Sequence, residues 1–199
     1  MGNAGDTGAG SLPCYERRML LQAALSTGLG FLLAERTRAQ DVEPRNARPQ
    51  EGDLFVFATG DRKGATITPV DLTIGGPPVT VYPVDAHTQV VRDGSRLNQV
   101  LLIRLDLADL PEATRAHAPQ GVVAYSAVCT HEGCDIWLWQ GEGKTLKCPC
   151  HDSEFDPKDG ARVITGPAPR RLPTLPLKII DGVLMAAGGF ASRVGFKQE

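Results

Sequence analysis

Two short runs in the second half of the chain, Cys129-Thr130-His131-Glu132-Gly133-Cys134 and Cys148-Pro149-Cys150-His151-Asp152-Ser153, constrain this sequence more than any other feature. Each run offers one thiol and one imidazole close enough in sequence for both to project from a single tight loop. Two such loops facing each other place two sulfurs and two nitrogens around one site. In a mixed-ligand 2Fe–2S centre, Cys129 and Cys148 give thiolates to one iron, and His131 and His151 give neutral imidazoles to the other. In a structural zinc site all four donors surround a single ion. Zinc motifs usually pair Cys with Cys and His with His, and zinc leaves the second cysteine of each run without a role. If the loops face each other, Cys134 and Cys150 come to bridging distance and could close a disulfide that locks the cage.

The two runs resemble the paired boxes of the Rieske iron–sulfur protein family, Cys-Thr-His-x-Gly-Cys and Cys-Pro-Cys-His-x-Ser, at every position. The resemblance extends from about Val122 to Leu177. It includes Gly166-Pro167-Ala168-Pro169, which is similar to the family's proline loop over the cluster. It implies one 2Fe–2S cluster and an all-β fold of stacked antiparallel sheets. A cluster-binding subdomain is then inserted at about 127–169, with the edges of His131 and His151 exposed at its tip. The resemblance also implies that Ser153 donates a hydrogen bond toward a bridging sulfide. Phe155 departs from the pattern, because quinol-oxidising relatives often carry a tyrosine there whose hydroxyl bonds a ligand sulfur. Such hydrogen bonds raise the potential, so the expected value is high for an iron–sulfur centre but below the top of the family range. Exposed imidazole edges imply that a proton accompanies the electron, so the potential is expected to fall as pH rises.

What the resemblance implies functionally is a redox subunit with no active site of its own. No nucleophile-and-base constellation or phosphate-binding glycine loop stands out beside it. One branch is the cytochrome bc-type subunit, with a cytochrome b-like partner, a quinol donor and a cytochrome c-like acceptor. Val123-Ala124-Tyr125-Ser126 and Ser153-Glu154-Phe155-Asp156 look equally like the small subunit of arsenite oxidases, whose partner is a molybdopterin subunit. The Gly-Pro-Ala-Pro loop favours the first branch. A Rieske ferredoxin feeding a cytosolic oxygenase is a third reading, opposed by the extra cysteine pair and by the N-terminus.

That N-terminus carries Arg17-Arg18 followed by an apolar, glycine-containing stretch from Met19 to Ala34, the order of an export signal. Paired arginines suggest the twin-arginine route, which suits a cargo folded around a cluster before it crosses the membrane. The expected destination is the periplasmic side of a bacterial inner membrane. Residues 1–39 are read as this signal or as a retained membrane anchor. The apolar stretch is short for a span, which needs roughly 17–25 residues, and Thr37-Arg38-Ala39 is a mediocre cleavage site, so both fates stay open. Cys14 precedes the arginines and is incidental. Residues 40–52, polar and proline-punctuated, read as a linker or extended arm. Residues 53–199 are the domain.

Within the domain, short apolar runs alternate with turn residues. Leu54–Phe57, Val79–Tyr82, Val100–Leu105, Val122–Tyr125, Leu177–Ile180 and Val183–Ala186 have the length and composition of strands. Asp181-Gly182 pairs the last two as a hairpin. Between the boxes, Ile136–Trp139, Gly141–Gly143 and Thr145–Lys147 read as strand, turn and strand, and 109–115 as a brief helical turn. Trp137 and Trp139 are expected to pack a hydrophobic face, and His87 and His117 to be ordinary surface residues. A formal charge of -2 over 199 residues, without a basic block, argues against a nucleic-acid partner.

Overall fold

The computed structural model describes residues 42–196. Arg17, Arg18, Cys14 and the rest of the export segment lie outside the described residues. Ten strands dominate: β1 (Leu54–Phe57), β2 (Val79–Val84), β3 (Val100–Arg104), β4 (Val122–Ser126), β5 (Leu138–Gln140), β6 (Thr145–Lys147), β7 (Glu154–Asp156), β8 (Arg162–Thr165), β9 (Leu177–Ile180) and β10 (Val183–Ala186). One helical turn, α1 (Glu112–Arg115), and several 3-10 turns connect them. All strand pairings are antiparallel, in sheets ordered β1-β2-β3-β4 and β5-β6-β7-β8 with β9-β10 as a hairpin.

The first sheet lies between two layers, and its sequence shows why. Along β3 and β4 successive side chains point to opposite faces, yet both strands are apolar almost throughout. Val100, Leu102, Val122 and Ala124 face a core shared with Phe55, Leu177 and Leu184 of the strands β1, β9 and β10. Leu101, Ile103, Val123 and Tyr125 face a second core, which holds Cys129, Cys148, Leu146 and Phe155 of the inserted subdomain. A continuous apolar run is what burial on both faces demands. The free edge of β4 is covered by the chain at 173–175, through Ser126 N–H to Pro173 O at 2.9 Å and Leu175 N–H to Ala124 O at 2.9 Å.

Six of the strands fall where the apolar runs place them. Three points differ from the sequence reading. The strand expected at Ile136–Trp139 is shifted to Leu138–Gln140. Trp139 packs against the second core, but Trp137 lies before the strand and is 61% exposed, so its packing role is corrected. The stretch read as a linker or extended arm is tied to the domain within its described part: Asn98 donates to Ala47 O at 2.8 Å, and Gly52 N–H donates to Ala186 O at 2.9 Å. His87 and His117 are exposed, as expected.

Two buried polar contacts were not legible in the sequence. Tyr125, fully buried in β4, donates from its hydroxyl to Pro157 O at 2.7 Å and so joins the first sheet to the turn after β7. Burial pushes its phenol well above the ordinary range, which keeps it a neutral donor. Asp53 and Arg92, both nearly inaccessible, form a two-point pair at 2.7 and 2.8 Å. Gln50 N–H at 2.8 Å from Asp53 Oδ2 and Asp85 Oδ2 at 3.1 Å from Arg92 Nη2 complete the set.

Candidate metal centre

The two Cys/His runs form loops with the same internal hydrogen bonds. In the first, Cys129 N–H donates to Cys134 O at 2.8 Å, and Gly133 N–H donates to Cys129 O at 3.1 Å. In the second, Cys148 N–H donates to Ser153 O at 2.8 Å, and Asp152 N–H donates to Cys148 O at 3.1 Å. Each loop thus closes from its cysteine to the residue five positions on, through a residue four positions on with positive φ. That residue is Gly133 at 77° in one loop and Asp152 at 57° in the other. Glycine adopts this conformation freely, and aspartate tolerates it better than most residues.

The shared fold throws the four donors to one side, sorted by element. Cys129 and Cys148 are buried and free. Burial pushes the Cys129 thiol up to about 11, against the His131 backbone N–H and the Ser153 side chain, which favour the thiolate. A metal that takes these sulfurs must displace protons. The imidazoles stand further out, with His131 partly and His151 largely exposed. Their Nδ1 atoms turn toward each other at 3.2 Å, with ring centroids 4.7 Å apart and planes at 90°. His151 Nε2 faces outward, 3.7 Å from a Glu132 carboxylate oxygen.

This separation discriminates between the two chemistries. A single tetrahedral ion with bonds of about 2.0–2.3 Å needs its donors about 3.3–3.8 Å apart. Here no three of the four donors lie within 4.8 Å of one another. A sulfur pair inside and a nitrogen pair outside is the division of donors that a mixed-ligand 2Fe–2S cluster calls for. Cys134 and Cys150 are joined as a disulfide across the two loops, which removes them from the donor set.

The 166–170 loop closes over the site. Ser153, fully buried, accepts from Ala168 N–H at 3.1 Å, and Thr130 donates to Arg170 O at 2.6 Å, so both boxes hold the loop. Gly166 explains its own identity. It has φ 90°, and a Cβ there would meet Ser153 Cα at 2.5 Å and Ser153 N at 2.8 Å. Pro167 is exposed on the outer surface. Phe155 is fully buried in β7 among the second core. Arg96, which sequence reasoning missed, donates to Gly133 O at 2.7 Å and to Asp135 at 2.8 Å. Its distance in sequence, 37 residues from Gly133, left no local signal.

Comparison with known proteins agrees with this geometry. The family model of the Rieske [2Fe-2S] domain matches residues 63–176. The chain is 45% identical over 100 residues to the cytochrome bc1 complex Rieske iron-sulfur subunit of Streptomyces lividans, covering 48% of this chain and 58% of that one. It is 39% identical over 122 residues to the "Putative respiratory nitrate reductase subunit Rieske" of Haloferax mediterranei, covering 60% of this chain and 52% of that one. It thus spans little more than half the length of these two relatives. Among solved structures, the soluble domain of Rieske protein II from Sulfolobus acidocaldarius is similar at 25% identity and a TM-score of 0.38, over 48% of this chain and 66% of that one. With both boxes and the proline loop inside the matched residues, the chain belongs to the Rieske [2Fe-2S] family.

Proposed function

We propose that this chain is the electron-transfer subunit of an exported or membrane-associated oxidoreductase. In this reading Cys129 and Cys148 hold one iron, and His131 and His151 hold the other. The observation that carries it is the sorting of donors into a buried thiol pair and an outer imidazole pair on loops joined by Cys134–Cys150. When bound, a mixed-ligand cluster takes up and gives back one electron within roughly −150 to +300 mV.

The protein's own residues set the conditions. Leu146, Ile136 and Phe155 keep water from the sulfur side. The imidazole side is the accessible one, so a donor or acceptor approaches there. With Nδ1 turned inward, Nε2 of each ring is left to hydrogen-bond that partner. Ser153 accepts from the Ala168 amide, and its side chain favours the Cys129 thiolate, which supports a role in stabilising the more negative, reduced state. Phe155 offers no hydroxyl for a second such bond.

The similarity to a bc1 subunit supports a cytochrome b-like partner, a quinol donor and a cytochrome c-like acceptor. A second reading, a subunit serving a molybdopterin partner as in arsenite oxidases, is favoured by the Ser153–Asp156 sequence. The similarity to a putative respiratory nitrate reductase subunit supports a partner of this second kind. Arg17-Arg18 and the Cys134–Cys150 bridge support the periplasmic side of the membrane. Among the described residues no helix is long and apolar enough to cross a membrane. A potentiometric titration of the metal-loaded protein tests the proposal. A reversible one-electron wave within the Rieske range supports it. A redox-silent protein loaded with one zinc ion overturns it.

A further inference from the structure

Gly133 of the first loop borders a cleft of about 250 Å³ that the electron-transfer role does not use. Its walls carry three guanidinium groups, Arg48, Arg96 and Arg193, beside the apolar side chains of Leu97, Val128 and Phe196. Among the described residues their counter-charges are few. Arg96 shares one carboxylate, Asp135, and spends the same Nη1 on Gly133 O. Arg48 donates to the uncharged Asn98 amide oxygen at 3.3 Å. Arg193 forms no ion pair among the described residues. A fourth arginine adjoins them: Arg170 donates from Nη2 to the carbonyl of Gly195, itself a cleft residue. Its Nη1 is buried with no hydrogen-bond partner among the described residues. Burial first, and the Arg193 charge second, lower the Arg170 pKa.

Like charges held together at the edge of a low-dielectric interior repel, and an anion between them relieves that repulsion. Guanidinium forks match the oxygens of phosphate-like anions and can bind them at two points. A cleft of this size holds a small oxyanion together with water molecules, whose liquid volume is roughly 30 Å³ each. We propose that the cleft lined by Arg48, Arg96 and Arg193 binds a free divalent oxyanion of the phosphate or sulfate class. Because Arg96 also donates to Gly133 O at 2.7 Å, the ion is held one side chain away from the first metal-binding loop.

The test is calorimetric titration of the full, metal-loaded chain with inorganic phosphate and with sulfate, against chloride at matched ionic strength. Saturable one-to-one binding is expected. Arg193→Gln, at an exposed position, should weaken it by about tenfold or more, the loss of one charge-assisted hydrogen bond. Lys178→Gln, which removes the same charge from β9 outside the cleft residues, should leave it within twofold. Arg48→Gln serves the same purpose if the first variant does not fold. No saturable heat beyond that of chloride overturns the proposal. So does equal weakening by the Arg193 and Lys178 variants, because that is the signature of general charge and not of a site.

Discussion

Replacing Ser153 with alanine removes one oxygen atom from a residue that is fully buried, and two effects follow from its contacts. The Ala168 amide, which donates to Ser153 Oγ at 3.1 Å, loses its acceptor in the interior. An unsatisfied buried donor costs about 1–3 kcal/mol. For a domain of roughly 150 residues, a central value of about 2 kcal/mol lowers Tm by about 4–8 °C. The second effect is electrostatic, because the same side chain favours the Cys129 thiolate. If the lost bond favours the reduced state by about one factor of ten, the potential falls by about 60 mV. The assay is a thermal melt of the metal-free chain paired with a redox titration of the loaded one. A melting shift below 1 °C together with an unchanged potential would refute the role given to Ser153. A melting shift alone would leave it a tie for the proline loop without influence on the metal.

Other expected outcomes are checked on the same preparations. Gly166→Ala should prevent loading with iron and sulfide, measured as iron per chain, because the new Cβ meets Ser153 backbone atoms at 2.5 and 2.8 Å and the backbone stands at φ 90°. Asp53→Asn should lower unfolding stability in urea by about 3–5 kcal/mol, since it strips a buried guanidinium of its two-point partner. An effect below 1 kcal/mol would show that Asp85 alone suffices. Acid should destabilise the fold. Asp71 is held below the ordinary carboxylate range chiefly by its hydrogen bond from Arg62, and Asp93 likewise by Arg45. A depressed folded pKa gives stability that is complete above the unfolded value and lost as pH falls through the folded one. The urea midpoint should therefore drop from pH 6 toward pH 3, and Asp71→Asn should flatten that drop.

The donors and the fold class were legible because both are local signals. The four candidate donors lie in two six-residue runs, and β3 and β4 announce burial on both faces by unbroken apolar sequence. What was hidden depends on contacts distant in sequence. β7 and β8 are three and four residues long, so the alternation of Glu154-Phe155-Asp156 and the β-branched run Val163-Ile164-Thr165 are too short to mark strands by themselves. Trp137 and Trp139 alternate in one apolar run, which points to a shared packed face, yet the strand begins one residue after Trp137. The pairing of Arg92 with Asp53 spans 39 residues, and the Arg96 contact to Gly133 spans 37. The common fold of the two loops was also invisible in the residue types. Gly133 and Asp152 share a backbone conformation that only the hydrogen bonds reveal.

The central claim, two irons divided between a thiolate pair and an imidazole pair, is tested most directly by pulsed EPR of the reduced protein grown with ¹⁵N-labelled histidine. The account predicts a 2Fe–2S signal coupled to two histidine nitrogens, with one coupling altered or lost in each of His131→Cys and His151→Cys. A reduced cluster signal with no histidine nitrogen coupling, or one zinc ion per chain in place of iron, would contradict it.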